Sequence, residues 1–503
     1  MTHREILMVL AGLMTGMFLV ALNQTIVSTA LPTIAGDLGG LDLIAWIVTA
    51  YLLAATTATP LFGRLSDLYG RQRMFQSAIV IFLVGSVLSG AALNMPMLIA
   101  TRAIQGVGGG GVMALTMTII GDLLSPRERG RYQGYLGAVF GVASITGPLL
   151  GGFIVDHLDW RWVFLVNVPI GIAALVVTSR VLDLPHHRVE RRLDLLGASL
   201  LVTGVTALLL VTAWGGSEHP WGSPLIVVLG LGGGILSLLF VLRQRSAPQP
   251  IIPLRLFASR TFSLVTAAGF LVSAAMFGAI VFLPVFLQLV TGASATEAGL
   301  LLTPMMGGLV VTSMVSGRLI SRTGRYRAHP ITGTALMAIA LSLMSTMDVT
   351  TSRVEAGLFT AVMGIGLGLV TQNLILIAQN DVAASDLGAA TATVGFSRTL
   401  GGSIGTAVFG AVMAAGLFRR LGDVRIDGVA LDPTLVQGSP ATILALEPAV
   451  REAIVDAFAG ALSMAFLAGV PLALLACLLL VLLPDRELRE TRHVGSTTTS
   501  APS

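Results

Sequence analysis

Fourteen apolar runs, most of them about as long as a membrane-crossing helix, follow one another along the chain with mostly short polar breaks between them. A helix rises about 1.5 Å per residue, so roughly 20 apolar residues match the ~30 Å hydrocarbon core of a bilayer. In lipid every backbone N–H and C=O needs an internal partner, and a helix supplies all of them. The runs cover residues 6–31, 44–62, 75–93, 97–119, 134–155 and 162–179, then 194–213 and 224–242, then 262–290, 297–316, 329–347, 356–379, 387–416 and 459–483. Composition agrees: 54% of residues are hydrophobic and 11% charged, against roughly 25% charged in a soluble domain. The first run is too long for a signal-peptide core and is expected to remain as a span. The chain reads as an all-α membrane protein.

Several chemistries are excluded. All 30 basic residues are arginine, so neither a Walker A phosphate loop nor Schiff-base chemistry is available. The arginines lie in loops between apolar runs and form no contiguous patch for nucleic acid. Cys477 is the one cysteine, which rules out an intrachain disulfide and a thiolate metal site. No acidic residue lies deep in a run: Asp37, Asp122, Glu297, Asp381 and Asp386 fall at ends, and none of the seven histidines is embedded. Neither a cofactor nor a metal is called for.

Loop charge sets an orientation, because arginine concentrates on the cytoplasmic side. Alternate loops carry Arg64, Arg71 and Arg73; Arg127, Arg129 and Arg131; Arg180, Arg188, Arg191 and Arg192; Arg243, Arg245, Arg255 and Arg260; and Arg318, Arg322, Arg325 and Arg327. In the opposite set, residues 36–43 and 214–223 contain no arginine, and the break after the eleventh run has only Arg353. Both termini are expected in the cytoplasm.

A duplication organises the runs. Gly63, Arg64, Leu65, Gly70, Arg71 and Arg73 recur as Gly317, Arg318, Leu319, Gly324, Arg325 and Arg327, and Gly134, Gly141, Gly147 and Gly151 recur as Gly388, Gly395, Gly401 and Gly405, all at one offset. One matched glycine pair means little in a chain with 58 glycines; this many at a single offset mean two copies in the same orientation. Runs 1–6 and 9–14 are the copies, with runs 7 and 8 inserted.

Residues 63–73 read Gly-Arg-Leu-Ser-Asp-Leu-Tyr-Gly-Arg-Gln-Arg. Gly63 permits close helix approach, Gly70 allows a positive φ in a short reversal, and Asp67 can bridge Arg71 or cap a helix. This pattern resembles the loop between spans 2 and 3 of the major facilitator superfamily. Residues 134–152, with Gly141, Gly147, Pro148, Gly151 and Gly152, are similar to the glycine-proline motif that marks antiporters there. Close packing of small residues and a proline bend describe the same residues equally well. Leu98, Arg102, Gln105, Gly106 and Gly108 resemble the fourth-span motif. Residues 22–32 and 159–171 resemble the fourteen-span drug:proton antiporter branch, and the likeness extends over nearly the whole chain to about residue 483. It implies the major facilitator fold: two six-helix bundles related by an axis along the membrane normal, plus two inserted helices, with substrate near the midplane. It also implies that Gly63, Asp67, Gly70, Arg71, Arg73, Gly317 and Arg325 form a cytoplasmic gate.

One residue departs from the branch, which usually carries an aspartate where this chain has Asn23. Position along their runs puts Asn23 and Arg102 both roughly 8 to 13 Å below the outer face, so they can be neighbours. A buried arginine is expensive and needs a partner; Asn23, Gln24 or backbone carbonyls must serve. Arg398 lies near the bilayer centre, and Gln372 and Asn373 are the other deep polar groups. With Gln105, these are the coupling and cavity candidates. For each polar residue an interhelical hydrogen bond and a ligand contact both stand open.

The expected organisation is a first bundle over residues 1–182, a linker with two helices over 183–260, and a second bundle over 261–485. Residues 417–456 read as an extracytoplasmic loop ending in an amphipathic turn near 449–458, and 486–503 as a disordered cytoplasmic tail. The expected function is proton-coupled export of amphipathic or cationic compounds across a bacterial plasma membrane, with substrate, protons and lipid as partners. A dedicated exporter of one natural product or lipid, and a non-transporting receptor or scaffold, are the other readings.

Overall fold

A computed structural model describes residues 3–38, 43–124, 126–181, 194–215, 219–292, 297, 301–383, 386–423, 425–426, 429–430, 447–485 and 488. The first part of the chain forms α1 (His3–Leu38), α2 (Ile44–Tyr69), α3 (Arg71–Gly90), α4 (Met95–Leu123), α5 (Pro126–His157), the short α6 (Trp162–Leu165) and α7 (Asn167–Val181). Two further helices follow, α8 (Leu195–Trp214) and α9 (Pro224–Ser246). The remainder forms α10 (Arg260–Leu289), α11 (Thr303–Thr323), α12 (Ala328–Met344), α13 (Arg353–Asp381), α14 (Leu387–Asp423) and α15 (Pro448–Val481). Local chemistry sets several boundaries. Asn94 accepts from Met97 N at 2.9 Å to start α4, Ser352 and Glu355 make a reciprocal capping box at α13, and Gly70 reverses the chain between α2 and α3 at φ 96°.

Each of the fourteen apolar runs contains a helix among the described residues, and twelve helices among the described residues are long and apolar enough to cross a membrane. The other two are α11 and α12. In α11, Gly308 and Thr312 serve contact with α13, and Thr312 Oγ1 donates to Ile365 O at 3.1 Å. Small and hydroxylated residues lower its apolarity where it faces protein rather than lipid. Helix α12 has 17 residues, which span about 25 Å.

Helices α1–α7 share buried apolar clusters, and α10–α15 share another. Within the first group α4 runs against both α2 and α3. A Cβ on Gly106 would lie 2.3 Å from Tyr51 O, and one on Gly110 would lie 2.2 Å from Ala55 O. Only glycine admits such an approach; without a hydrophobic drive between helices in lipid, this packing is what joins them. The two groups meet along α2 with α14 and α5 with α11. Helices α8 and α9 pack against each other and then across the α2–α14 seam: Leu201, Val205 and Leu209 cluster with Leu53 and Leu61 of α2 and Phe396 and Leu400 of α14.

The loop expected over 417–456 needs correction. Helix α14 runs on to Asp423, a two-stranded hairpin pairs Arg425–Ile426 (β1) with Val429–Ala430 (β2), and α15 already starts at Pro448. Leu417 and Leu421 pack in one cluster with Ile454 and Phe458, so the polar ends of this stretch are helical extensions that cover one another's apolar faces. The amphipathic turn near 449–458 is the beginning of α15. Residues 431–446 lie outside the described residues, as does the expected tail 486–503 apart from Leu488.

Candidate functional site

Gly63 and Gly388 bring α2 and α14 together at the arginine-rich end of the molecule. A Cβ on Gly63 would lie 2.5 Å from that of Ala392, and a Cβ on Gly388 would lie 3.0 Å from Gly63 O and 2.5 Å from Asp67 Oδ1. Asp67 therefore sits on the first turn of α14, where helix N–H groups favour an anion. Arg71 binds Asp67 Oδ1 at 2.5 Å through Nη1 and Asp122 Oδ2 of α4 at 2.7 Å through Nε, and also donates to Ser66 Oγ. Arg64 lies 3.8 Å from Asp67 Oδ2 and donates to Gln249 Oε1 in the connector after α9. Asp67, Arg71 and Arg64 are nearly enclosed, so the node ties α2, α3 and α4 with charge-assisted contacts of little exposure and packs against α14 at Gly388. Of the seven candidate gate residues, the structure brings Gly63, Asp67 and Arg71 together, with Gly70 forming the turn beside them. Arg73 and Arg325 are exposed, and Gly317 is buried in α11. Asp122 and Gln249 were not candidates; neither has a local sequence signature.

A second polar cluster lies inside the first group of helices. Arg102 Nη1 donates to Asn23 Oδ1 at 2.8 Å and to Gln105 Oε1 at 2.5 Å, Nε donates to Ile47 O at 3.2 Å, and the guanidinium carbon lies 4.3 Å from the centre of the Tyr51 ring. Gln105 Nε2 donates to Ser86 Oγ at 3.0 Å, Asn167 Nδ2 reaches the same oxygen at 3.1 Å, and Ser86 Oγ donates to Phe164 O at 2.8 Å. Asn23, Gln105, Ser86 and Asn167 are fully buried. The arginine is thus solvated by amides, a carbonyl and an aromatic face, with no carboxylate among the hydrogen-bond partners described for it. Asn23 Nδ2 and Asn167 Oδ1 have no partner among the described residues. Gln24 is exposed and is not among the hydrogen-bond partners described for the arginine. Ser86, Tyr51 and Asn167 are additions the sequence did not single out. Asn167 stands in the 159–171 motif, which was its one available signal.

The second-group candidates do not form an equivalent cluster. Arg398 packs its side chain beside Gly269 of α10 and donates to Thr371 O at 3.4 Å. Asn373 donates to Leu369 O at 2.7 Å and Ser316 Oγ at 3.4 Å, and Gln372 is buried near it in α13.

The α5 glycines divide between two partners. Gly141 faces Val310 of α11 across the seam, whereas Cβ atoms on Gly147 and Gly151 would lie 1.9 Å from Thr25 Oγ1 and 2.0 Å from Thr29 Oγ1 of α1. The close partner of Gly147 and Gly151 is therefore α1 of the same group, and Thr25 Oγ1 donates to Ala143 O at 3.0 Å in that contact. Gly152 faces open space, and Pro148 lies within α5. Gly147→Leu is expected to lower stability by about 1–3 kcal/mol or more through overpacking, while Gly152→Leu leaves it unchanged. Thermal unfolding of the two variants in detergent checks this; equal melting would remove the α1–α5 contact from the account.

The family model described as Major Facilitator Superfamily matches residues 13–406. The chain is 43% identical over 451 residues to an uncharacterized MFS-type transporter of Mycobacterium tuberculosis (strain ATCC 25618 / H37Rv), covering 90% of this chain and 65% of that protein. It thus spans just under two thirds of that relative's length. It is 42% identical over 412 residues to the multidrug transporter protein MdtP of Bacillus subtilis (strain 168), covering 81% and 75%. The crystal structure of the human organic anion transporter MFSD10 shares the fold at 17% identity, with a TM-score of 0.61 over 94% of this chain and 99% of that one.

Proposed function

Because the chain belongs to the major facilitator superfamily, and is therefore a multi-pass membrane transport protein rather than an enzyme, we propose that it exports amphipathic or cationic compounds by proton-coupled antiport. In this reading all fourteen helices cross a bacterial plasma membrane, the arginine-rich end and both termini face the cytoplasm, and the chain belongs with the fourteen-span drug:proton antiporters. The kinship with MdtP supports the substrate class. The observation that carries the reading is the asymmetry of the α2–α14 seam. Its arginine-rich end is shut by Asp67, Arg71 and Gly388, while its other half borders a half-open cavity lined from both helices. Such a molecule presents its substrate path to one side at a time.

Opening the node would let α2 and α14 part at the cytoplasmic end, and the Gly141–Val310 contact and the Gln379 Nε2 to Met117 O bond at 3.1 Å are the other ties that must yield. Proton exchange falls on acids at helix ends, since Asn23 supplies no carboxyl. Asp37, which accepts from Trp160 Nε1 at 2.8 Å, is one candidate, and a titrating substrate is the other.

In everted vesicles with an acidic lumen, ethidium is expected to accumulate inside and to leave when the gradient is collapsed. Uptake indifferent to the gradient would overturn antiport. A dedicated exporter of an anionic or zwitterionic product is the second reading, favoured by Arg398, whose described hydrogen bond is to a backbone carbonyl alone. Including an anionic amphipath in the vesicle panel separates the two.

A further inference from the structure

The arginine-poor half of the α2–α14 seam holds a cavity of about 870 Å3, within the range of a site for one drug-sized molecule. Its wall combines Leu52 and Leu53 of α2, Phe277 of α10 and Ser403 of α14 with Leu209 and Ala213 of the inserted helix α8. None of the described lining residues is charged or a histidine. Four of the lining hydroxyls are already engaged within their own helices: Thr212 donates to Leu209 O at 2.8 Å, Thr399 to Gly395 O at 3.1 Å, Ser403 to Thr399 O at 3.1 Å and Thr406 to Gly402 O at 3.0 Å. A ligand here meets apolar and aromatic surface and leaves no polar group of these residues unpaired when it displaces solvent.

Helix α8 is held in place as the outer wall. Its buried side chains pack across the seam onto both α2 and α14, and Trp214 at its end stands edge-to-face against Trp46 at the start of α2, 5.1 Å between ring centres. Trp221 of the following turn also lines the space. The central polar cluster around Arg102 lies among α1, α2, α3, α4 and α7, on the far side of α2, and contributes no residue to this wall.

The geometry points to a binding site for an uncharged lipophilic compound of drug size, in a half-open cavity between the two helix groups walled by the inserted helix α8. The assignment rests on the export reading, because both groups line the cavity and its shape must change as they move. Helix α8 then selects cargo, and charge on the ligand is disfavoured at this position because none of the described lining residues compensates it.

Ala213→Trp places a large side chain from α8 into the space without touching the node at Asp67 or the Arg102 cluster. With the full chain in lipid nanodiscs, Nile red, an uncharged apolar dye, is expected to bind the parent and to lose about tenfold or more in affinity in Ala213→Trp. Ser199→Ala, on the same helix α8 but outside the wall, removes a hydroxyl that donates only to Leu195 O of its own helix and should bind like the parent. Leu52→Trp fills the same space from α2 and stands in should Ala213→Trp fail to fold. Nile red affinity within twofold of the parent in both tryptophan variants would overturn the site. Vesicle export of Nile red and ethidium by the same proteins separates the two ideas. A parent that exports neither dye, yet loses Nile red binding on Ala213→Trp, keeps the site and sinks the export reading.

Discussion

Asp67→Asn is expected to cut export by about an order of magnitude or more while the protein still folds. Asp67 and Arg71 are 2.5 Å apart and nearly enclosed, and removing one partner of such a pair leaves the other charge uncompensated, at a cost of about 3–5 kcal/mol. Asp122 still holds Arg71 at 2.7 Å, so the residual loss should be nearer 2 kcal/mol. That figure shifts an opening equilibrium about thirtyfold. The loss falls on the sealed conformer, because the Asp67 contact with the first turn of α14 exists only while the seam is shut. Gly388→Val tests the same seam from the other side, since its Cβ would press on Asp67 Oδ1 at 2.5 Å and on Arg71 Nη1 at 2.7 Å. Both variants should raise the labelling rate of a cysteine placed at Ala392, and both should slow efflux. Parental efflux and parental labelling in Asp67→Asn would remove the latch from the mechanism.

Features with a one-dimensional signature were legible in the sequence. Apolar runs became helices because lipid leaves the backbone few alternatives, and the repeated Gly63 and Gly317 stretches marked the paired α2 and α11. Depth alone made neighbours of Asn23 and Arg102, since two polar residues at one level of adjoining helices have few other places to go. What failed needed knowledge of facing surfaces. Gly147 and Gly151 advertise close packing, yet nothing in their spacing says whether α1 or α11 is the partner. Gln249 is an ordinary polar residue in a Pro-containing connector, and only the course of α8 and α9 across the seam brings it to Arg64. Residues 417–423 and 448–456 were taken for loop because hydropathy falls there, although Leu417, Leu421, Ile454 and Phe458 could bury one another as helices. The same bias made α11 look like any other span, when its glycines and hydroxyls serve neighbouring helices.

Substitutions at Asn23 and Arg102 should separate stability from coupling. Arg102→Ala removes the donor to Asn23 Oδ1, Gln105 Oε1 and Ile47 O together. Each orphaned buried acceptor costs about 1–3 kcal/mol, so this variant should lose both thermal stability and export. Asn23→Asp is different. Asn23 Nδ2 has no partner to lose among the described residues, and a carboxylate at that position would stand within about 3 Å of a guanidinium that now has only neutral partners. It should fold at least as well as the parent and introduce a titratable group at the heart of α1 and α4. Export by Asn23→Asp is therefore expected to depend more steeply on the imposed pH gradient than export by the parent, measured side by side in vesicles at several lumenal pH values. A parent already driven fully by the gradient, with an unchanged profile in Asn23→Asp, would place proton exchange elsewhere. The pair would then be a structural joint between α1 and α4.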